Sequence, residues 1–475
     1  MTINLTQNKN FKLFKTISSV AEKNEQSVFI VGGFVRDLLM LRKAPTDIDF
    51  VTEQSGIDLA KAVAKELDPT LKVSIFKTYG TAMVKFNHLD LEFVGARKES
   101  YSENSRNPAV ENGSLEDDQK RRDFTINALA ISLNKENFGE LIDPFNGQED
   151  LQNKILRTPL EPLQTYSDDP LRMMRALRFA STLNFTIEEN SLKAIKNEAE
   201  RIKIVSLERV MVEFNKIMLS EKPSVGLKLM EETGLLNLIL PELLALKGIE
   251  EKEGQTHKDN FWHTLEVVDN ISENTDNLWL RWAALLHDIG KAPTKKFIEG
   301  IGWSFHGHEF LGSKMVKNIF YQLKLPLGND MKFVQKMVKL SSRPIALIDD
   351  GTSDSALRRL LFDAGEDLED LFILNKADIT TKNSKKQEKF KKNFEYVAEK
   401  IKEVEEKDHV RNFQPPISGE EIMELFNLQP GREIGILKEK VKEAILEGEI
   451  SNDHFEARNF VIFEGEKLGL ILSKN

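Results

Sequence analysis

The feature that most constrains the fold is a change in hydrophobic period near residue 159. Before it, the apolar runs SVFIV, TDIDFVT, KVSIFKTYGTAMVKF and LDLEFVGA alternate with turn residues, as half-buried strands do. After it, segments such as DPLRMMRALRFASTL and LERVMVEFNKIML repeat their apolar residues about every 3.6 positions. The sequence therefore predicts an α+β fold, with a mixed-sheet head followed by helices.

Length and breaks in this pattern divide the chain into four predicted parts. At 475 residues the chain is too long for one hydrophobic core. Pro and Gly cluster with charged residues at three places and interrupt the helical pattern there: 158–159, 248–254 and 413–418. We predict a head, a helical neck, a His-rich body and a helical tail, over residues 1–157, 158–248, 249–392 and 393–475.

Composition excludes several classes of protein. The chain has no cysteine, so disulfides and thiol chemistry are excluded, and His, Asp and Glu remain as metal ligands. No stretch approaches the ~20 apolar residues of a membrane span, and we expect a cytoplasmic protein with no membrane contact. A net charge of −10 argues against nucleic-acid binding by the whole surface. A local basic patch at residues 382–392 is either a solvated helix face or a phosphate contact.

Two carboxylates one residue apart mark the head. Asp47 and Asp49 in TDIDFV point to the same face of a strand, where like charges repel unless a cation lies between them. Glu92 in LDLEFV lies between apolar residues, where an acid facing a core would be costly without a cation. Hard cations such as Mg²⁺ prefer these oxygen ligands. A metal site is one interpretation of the pair, and a solvated strand is the other.

A glycine pair precedes these acids. Gly32 and Gly33 follow a short apolar strand and precede a helix that begins FVRDLLM, so their N–H groups can approach a phosphate. Arg36 either adds positive charge for that phosphate or pairs with Asp37. Ahead of a carboxylate pair, this turn suggests that the ligand is a nucleoside triphosphate.

The motifs GG-x-VRD, D-x-D and RRDFTINALA together resemble the class II tRNA nucleotidyltransferase family, which is related to bacterial poly(A) polymerases and builds the CCA end of tRNA. The resemblance implies a polymerase-β-like head in which Asp47 and Asp49 bind two Mg²⁺ ions and Glu92 is the third acid. It implies tRNA, CTP and ATP as partners, and no protein partner. It also implies nucleotide-binding roles for Gly32, Gly33, Arg36, Arg122, Asp123 and Asn127.

Two further segments extend this resemblance. RKESYSENSRNPAVENG matches the family's loop of E-x-Y followed by R-x-P, and its polar composition predicts a loop that moves during catalysis. DPFNGQEDL, from Asp143 to Asp150, matches the connection from head to neck. The residues of the loop that match the family are Glu99, Tyr101, Arg106 and Pro108.

The neck opens with a predicted helix, YSDDPLRMMRALRFA, on which Asp169 and Arg172 are three residues apart. From the residues alone, this spacing is typical of an intrahelical salt bridge. The family pattern E-D-x-x-R implies instead that Asp169 accepts from, and Arg172 donates to, the Watson-Crick edge of C or A. Asp168 stands where the family has Glu. Arg175 and Arg178 continue the face, and they contact phosphates, cap a helix or form surface pairs.

Five of the eight histidines lie between residues 257 and 308. The run LLHDIGKAPT resembles the HD phosphohydrolase superfamily in its HDIG form. The resemblance implies a divalent ion (Mn, Fe, Ni or Mg), water activation for phosphate-ester hydrolysis, and Lys291 as a phosphate contact. The implied ligands are His263, His287, Asp288 and Asp378, with His306 and His308 extending the site to a second metal.

CCA addition to tRNA, with hydrolysis in the HD body as a second activity, is the leading hypothesis. Poly(A) addition is the close alternative because the two families share their head, although KTYGTAMVKF lacks the Arg-rich stretch associated with bacterial poly(A) polymerases. An HD phosphohydrolase with a nucleotide-sensing head is the alternative of a different class. The tail is predicted to be helical, from helix-start signals such as Ser418 followed by Glu421, and to contact tRNA.

Overall fold

The computed structural model describes residues 1–473 except 43–44, 78–79, 103–104, 350–352, 382, 409–410 and 412. Inside its helices and strands it describes the backbone alone at 99–102, 105–109, 348–349, 386, 391, 393 and 407–408. The contacts divide the chain into two compact units, Met1–Ile239 and Leu240–Asn475. The four predicted parts stay a prediction. Across the described part of the chain, no helix is long and apolar enough to cross a membrane.

The centre of the first unit is a sheet in which the described residues form seven strands, in the order β3-β4-β5-β2-β1-β8-β9. Strands β2 and β5 are parallel, and the other neighbours are antiparallel. A separate hairpin is formed by β6 and β7. In chain order the strands are β1 (Phe29–Val31), β2 (Asp47–Thr52), β3 (Val73–Phe76), β4 (Thr81–Phe86), β5 (Leu89–Gly95), β6 (Arg97–Ser102), β7 (Ser105–Asn112), β8 (Ala130–Ser132) and β9 (Leu141–Ile142).

Alternation along β2 and β5 separates the core from the predicted acids. Phe50 on β2 and Phe93 on β5 are fully buried, and their rings stack with centroids 5.0 Å apart. Three helices cover this core: α1 (Phe11–Lys23), α2 (Gly33–Leu39) and α3 (Gly56–Leu67). Because successive side chains of a strand point to opposite faces, Asp49 and Glu92 lie on the face away from these rings.

Helices make up most of the rest of the first unit, as the 3.6-residue period predicts. On the amphipathic helix α7, the side chains of Met173, Leu177 and Ala180 are fully buried. Two short parallel strands, β10 (Ile155–Leu156) and β11 (Thr186–Ile187), pair beside it. The helices are α4 (Leu115–Lys120), α5 (Gly147–Asn153), α6 (Pro162–Asp168), α7 (Leu171–Leu183), α8 (Glu189–Glu198), α9 (Leu207–Met218), α10 (Pro223–Glu232) and α11 (Leu235–Ile239).

The second unit is helical apart from two short hairpins, β12 (Glu251–Lys252) with β13 (Gln255–Thr256) and β14 (Lys296–Ile298) with β15 (Gly302–Ser304). The predicted α+β class is therefore confirmed. Its helices are α12 (Pro241–Leu244), α13 (Asn260–Ser272), α14 (Leu278–Leu286), α15 (Lys291–Thr294), α16 (His308–Gln322), α17 (Asn329–Leu340), α18 (Arg343–Asp349), α19 (Asp354–Ala364), α20 (Leu368–Asp378), α21 (Ser384–Asp408), α22 (Gly419–Phe426), α23 (Arg432–Glu447) and α24 (His454–Lys467).

One local prediction was wrong and another was confirmed. The segment RKESYSENSRNPAVENG forms the β6–β7 hairpin rather than a loop, and its polar residues carry no apolar alternation that would have indicated strands. The side chains of its predicted family residues, Glu99, Tyr101, Arg106 and Pro108, lie outside the described residues. In the tail, the Ser418 hydroxyl accepts from the Glu421 N–H at 3.0 Å and caps α22, as predicted.

Candidate functional site

The predicted acids of the head meet at neighbouring strands. Asp49 on β2 pairs in register with Glu92 on β5 and with Val31, the last residue of β1. Register partners project from the same face, so Asp49 and Glu92 lie side by side, and Asp47 is two residues away on that face. Asp49 and Glu92 line a cavity of about 530 Å³. The cavity is lined by Asp49, Val51, Phe76, Thr81, Met83, Glu92, Val94, Arg97, Arg121 and Arg122.

The carboxylates of the head are poorly compensated by the protein. Burial raises the pKa of Asp49; Arg122 opposes this rise, and the charge of Asp47 adds to it. Partial burial in the cavity wall also raises the pKa of Glu92, followed by repulsion from Asp49 and Asp47. The expectation that Glu92 faces a core was wrong, because Leu91 and Phe93 fill the core positions. Crowded oxygen ligands with raised pKa values fit a divalent cation.

Gly32 lets two charged side chains approach the end of β1. Its φ is +74°, in the left-handed region. A Cβ at this position would lie 3.0 Å from Nη1 of Arg122 and 3.2 Å from Oδ2 of Asp49. The Gly32 N–H donates to the Leu129 carbonyl at 3.3 Å. The glycine therefore leaves room for the side chains of Arg122 and Asp49, and phosphate contact by Gly32 and Gly33 stays a prediction.

A buried carboxylate that sequence reasoning missed, Asp118, holds both arginines of RRD. Nε of Arg121 donates to Asp118 Oδ1 at 3.0 Å, and Nε and Nη2 of Arg122 donate to Oδ2 at 3.1 and 2.9 Å. The Asp118 side chain is 0% exposed. Burial raises its pKa, but the two guanidiniums outweigh burial and lower it. The available signal was spacing, because Asp118 on α4 precedes the arginines by three and four positions.

A second network joins four more predicted residues. Nη1 of Arg36 donates to Asn127 Oδ1 at 2.7 Å, and Asn127 Nδ2 donates to Asp123 Oδ1 at 2.9 Å. Nε of Arg175 donates to Asp123 Oδ2 at 2.7 Å. Burial opposes ionisation of Asp123, but Arg175 and Asn127 lower its pKa to about 2. Arg36 also pairs with Asp37 at 2.8 Å, so this alternative for Arg36 is observed alongside the network.

Asp169 and Arg172 do not share a helix face, contrary to the spacing argument. Helix α6 ends at Asp168, and Asp169 is its extended C-cap residue, whose Oδ1 accepts from the Leu171 N–H at 3.2 Å. Arg172, in the first turn of α7, donates from Nη2 to the Arg121 carbonyl at 2.6 Å. These two described residues form no ion pair with each other. Arg172 therefore links the neck to the RRD segment.

Arg178, six residues after Arg172 on α7, pairs with a buried glutamate. Its Nε is 2.5 Å from Oε2 of Glu213, which is buried on α9, and its guanidinium lies over the ring of Phe179 at 3.8 Å. Burial lowers the pKa of Arg178, and the Glu213 carboxylate opposes that effect. Of the three interpretations of Arg178, pairing is the one observed, although the partner is buried rather than on the surface.

The predicted ligands of the body converge from three helices. His263 lies on α13, His287 directly after α14, and Asp378 at the end of α20. Nε2 of His263 is 2.8 Å from Asp378 Oδ1, and Nε2 of His287 is 3.4 Å from the same oxygen. Within the described residues, this is the one group of three ligand atoms that lie within 4.8 Å of one another.

The donors of this cluster fit a metal. Nδ1 of His287 is 2.8 Å from the Ala284 carbonyl, an arrangement that fixes an imidazole with Nε2 directed at a ligand. That Nε2 is buried and has no hydrogen-bond partner among the described residues. Burial lowers the pKa of His287, but Asp288 and Asp378 outweigh burial and raise it to about 10. The cluster therefore holds a cation strongly, whether that cation is a proton or a metal ion.

Two of the other predicted residues of the body, Lys291 and His308, contact Asp288. Lys291 Nζ is 2.7 Å from Asp288 Oδ2, and His308 Nε2 is 3.5 Å from Oδ1. A Cβ on Gly290 would clash with the carbonyl oxygen of His308, so glycine is required where α15 and α16 meet. His306 is exposed, and no hydrogen bond or ion pair joins its side chain to the cluster in the described part of the chain.

Sequence reasoning also missed two contacts behind His263. Nζ of Lys258 lies 2.7 Å from His263 Nδ1 and 2.8 Å from Oγ1 of Thr380. The Thr380 hydroxyl itself is 3.1 Å from His263 Nδ1. No periodicity or motif relates these residues, because His263 and Thr380 are 117 positions apart. Burial is the main cause of the lowered pKa of Lys258.

Three family models match the chain. They are the poly A polymerase head domain over residues 28–157, the probable RNA and SrmB-binding site of polymerase A over 184–246, and the HD domain over 260–380.

Several curated proteins are similar over most of their length. The A-adding tRNA nucleotidyltransferase of Deinococcus radiodurans is 34% identical over 356 residues, covering 73% of this chain and 79% of that protein. The CC-adding tRNA nucleotidyltransferase of Thermus thermophilus is 32% identical over 454 residues, covering 92% and 94%. The CCA-adding enzyme of Bacillus velezensis is 29% identical over 443 residues, with the same coverage.

Solved structures are similar as well. A tRNA nucleotidyltransferase complexed with a primer tRNA and an incoming ATP analogue is 28% identical, with a TM-score of 0.55 over 82% of this chain and 99% of that one. The Bacillus stearothermophilus CCA-adding enzyme in complex with CTP has a TM-score of 0.69 over 98% and 99%. At 22% identity, the second likeness concerns the fold alone.

Proposed function

This chain belongs to the tRNA nucleotidyltransferase family, and from that membership we propose that it adds the sequence CCA to the 3′ end of tRNA from CTP and ATP. It is a nucleotidyltransferase, and enzymes of this type use divalent metal ions. The observation that supports the proposal is that Arg121 and Arg122 connect the acids of the head to Arg172 of the neck. Asp49 and Arg122 share the head cavity, and Arg121 beside them is held by Arg172.

The acids of the head would hold the metal ions, and we propose Mg²⁺ at Asp47, Asp49 and Glu92. When bound, such ions lower the pKa of an attacking hydroxyl and neutralise charge on the triphosphate and the departing pyrophosphate. The protein itself supplies oriented cations. Asp118 fixes the guanidinium of Arg122 beside Asp49, and Asn127 fixes that of Arg36, so both are positioned for phosphate oxygens.

Base selection is proposed for Asp169 and Arg172. One oxygen of Asp169 accepts from the Leu171 N–H, which leaves the other free to accept from the exocyclic amine of C or A. Arg172 donates to the carbonyls of Arg121 and Thr165, and a guanidinium has further N–H donors for a ring nitrogen. U and G present the opposite donor and acceptor order, so both are disfavoured.

We propose a second activity, metal-dependent hydrolysis of phosphate esters in the body. The observation that favours it is the convergence of His263, His287 and Asp378, in which the buried Nε2 of His287 lies 3.3 Å from Asp288 Oδ2 and 3.4 Å from Asp378 Oδ1. These residues and Asp288 would hold Mn²⁺, Fe²⁺, Ni²⁺ or Mg²⁺, and a bound ion of this kind activates water. Lys291 is placed for a phosphate oxygen. Absence of phosphatase and phosphodiesterase activity with each of the four metals would refute this proposal.

We propose the roles of the four parts of the chain on the same basis. Residues 1–157 are assigned to nucleotide transfer, 158–248 to base selection, 249–392 to hydrolysis and 393–475 to tRNA contact. A cytoplasmic location follows from tRNA as the substrate.

The test of CCA addition uses the purified full chain and a tRNA transcript that ends at the discriminator base. CTP alone should add two nucleotides, ATP alone should add none, and the two together should add CC and then a single A. Addition of CC alone or A alone would identify a split-function enzyme, and a long A tract would support the poly(A) alternative. No incorporation under any combination would overturn the proposal.

A further inference from the structure

An aromatic ring stands exposed in the wall of the head cavity. Phe76 is the last residue of β3, the edge strand of the sheet, and pairs with Thr81 on β4. It is 48% exposed, although it lines the cavity beside Glu92. A phenylalanine ring in this position gains little from the hydrophobic core, and its open face is available to a planar ligand.

The order of the strands separates two sides of the acid cluster. Asp49 lies on β2, with β1 and β8 on one side and β5, β4 and β3 on the other. Gly32 directly follows β1, and the Arg36–Asn127 contact lies between α2 and the segment that leads into β8. Gly32, Gly33 and Arg36, three of the residues proposed to hold the triphosphate, are therefore on the β1 side, and Phe76 is on the β5 side. Arg122, also proposed for the triphosphate, lines the same cavity as Phe76.

Nucleotidyl transfer requires the attacking hydroxyl and the departing pyrophosphate to lie on opposite sides of the reacting phosphorus. The attacking and leaving oxygens lie roughly in line through the α-phosphorus, on opposite sides of it. With the pyrophosphate toward β1, the attacking 3′-hydroxyl of the RNA has to arrive from the side of β5, where Glu92 is. The cavity on that side, about 530 Å³, is of a size that holds small organic ligands.

Resting on the proposed function, we infer that the ring of Phe76 is the stacking platform for the 3′-terminal base of the RNA substrate. Stacking on an aromatic ring accepts every base, since each base has a π-face. This tolerance suits CCA addition, because the terminal base is the discriminator in the first step and C in the next two. Arg97 brings positive charge to the same wall, where it opposes the rise that burial causes in the pKa of Glu92.

The first test replaces Phe76 in the full chain and measures kcat and KM for tRNA and for CTP separately. Phe76→Ala and Phe76→Leu should each raise the KM for tRNA about tenfold, at the weaker end of base–aromatic stacking, with the KM for CTP unchanged. The leucine variant keeps apolar bulk, so a folding defect in the alanine variant does not decide the result. Phe76→Trp should restore the wild-type KM.

The control is the neighbouring residue on the same strand. Ile75 is 39% exposed and does not line the cavity, so Ile75→Ala should leave the KM for tRNA unchanged. A rise in the KM for CTP rather than tRNA, or an unchanged KM for tRNA in both Phe76 variants, would overturn the inference.

A second measurement uses tRNA whose terminal nucleotide keeps its 3′-hydroxyl but has no base. The wild-type enzyme should lose about tenfold in kcat/KM on this substrate, and Phe76→Leu should lose nothing more, because ring and base act as one pair. Equal additional losses in both enzymes would overturn the inference. A wild-type enzyme that incorporates nothing would overturn the proposed function and this inference with it, whereas an active enzyme unaffected at Phe76 overturns this inference alone.

Discussion

In the head, burial and mutual repulsion raise the pKa of Asp49 and Glu92. In the body, burial acts in the same direction on Asp288 and Asp378, but His287 outweighs it and lowers both pKa values. The body brings three ligand atoms within 4.8 Å of one another, and in the described part of the chain the head acids do not form such a group. Two carboxylate sites in one chain thus balance charge in different ways.

The two sites differ in the source of the positive charge that balances their carboxylates. The body supplies its own, as protonated imidazole and as the ammonium of Lys291, so a metal ion there has to displace a proton. The head leaves its acids to repel, with Arg122 as the main opposing charge on Asp49. In the proposed function, a metal–triphosphate complex bound at these acids would relieve that repulsion.

The largest expected effect comes from removing one head acid. Asp49→Asn should lower nucleotide incorporation by at least about a thousandfold, because a metal ligand and its charge are lost. Without metal, its melting temperature should not fall, since a carboxylate whose ionisation is disfavoured by folding has been removed. Asp58→Asn, at an exposed position on α3, is the control for both measurements. Full activity in Asp49→Asn would show that this acid holds no metal.

Asp169 and Arg172, the residues proposed to select the base, lie outside the acid cluster, and a change there should spare nucleotidyl transfer itself. Asp169→Ala should reduce the preference for CTP over UTP by about 10- to 100-fold, the range for one polar pair that reads a base edge. Incorporation of each nucleotide alone measures this preference. Glu200→Ala, at an exposed site in the neck, should leave it intact. Unchanged selectivity in Asp169→Ala would place base reading elsewhere.

A smaller effect is expected from a change at Asp118, which accepts hydrogen bonds from Arg121 and Arg122. Asp118→Asn should raise the KM for CTP and ATP about tenfold with little change in KM for tRNA, because it weakens the charged hydrogen bonds that hold Arg121 and Arg122. Asp117→Asn is the matched control, since Asp117 forms a capping box with Ser114. Equal KM values in the two variants would mean that Asp118 does not orient the arginines.

The smallest effect is on stability and tests the charge balance of the body. The pKa of His287 is raised from 6.5 to about 10, so its contribution to stability is complete below pH 6.5 and is lost as the pH rises through 10. The lowered pKa of Asp378 gives a contribution that is present above 3.8 and lost on acidification below it. In EDTA, the melting temperature of the second unit should fall on the alkaline side.

Mn²⁺ at pH 9 should restore that melting temperature, because the metal ion binds the folded cluster and displaces the imidazole proton there. His287→Ala should flatten the alkaline part of the curve. A melting temperature that is independent of pH between 6 and 10 in the wild-type protein would contradict the assigned pKa.

Local spacing predicted part of the head site, because strand alternation placed Asp47 and Asp49 on one face. The ligands of the body were implied by the resemblance to the HD superfamily, and His263, His287 and Asp378 come together in the structure. Spacing was misleading at Asp169 and Arg172, because α6 ends at Asp168 and the chain turns before α7. An i, i+3 argument holds only inside one continuous helix.

The contacts that sequence could not supply depend on tertiary structure. Asp118 is not singled out by any motif, and its role is visible only once its full burial beside two guanidiniums is known. Lys258 and Thr380 meet at His263 from distant positions. The sequence of the β6–β7 hairpin is polar and lacks alternating apolar residues, so periodicity could not predict that its two strands pair.

The most direct test of two separately balanced sites measures both activities in one set of full-length variants. Asp49→Asn and His287→Ala are each assayed for nucleotide incorporation into tRNA and for phosphate-ester hydrolysis with Mn²⁺. We predict that Asp49→Asn abolishes incorporation and keeps hydrolysis, and that His287→Ala abolishes hydrolysis and keeps incorporation. Loss of incorporation in His287→Ala, with its fold intact by circular dichroism, would contradict the account.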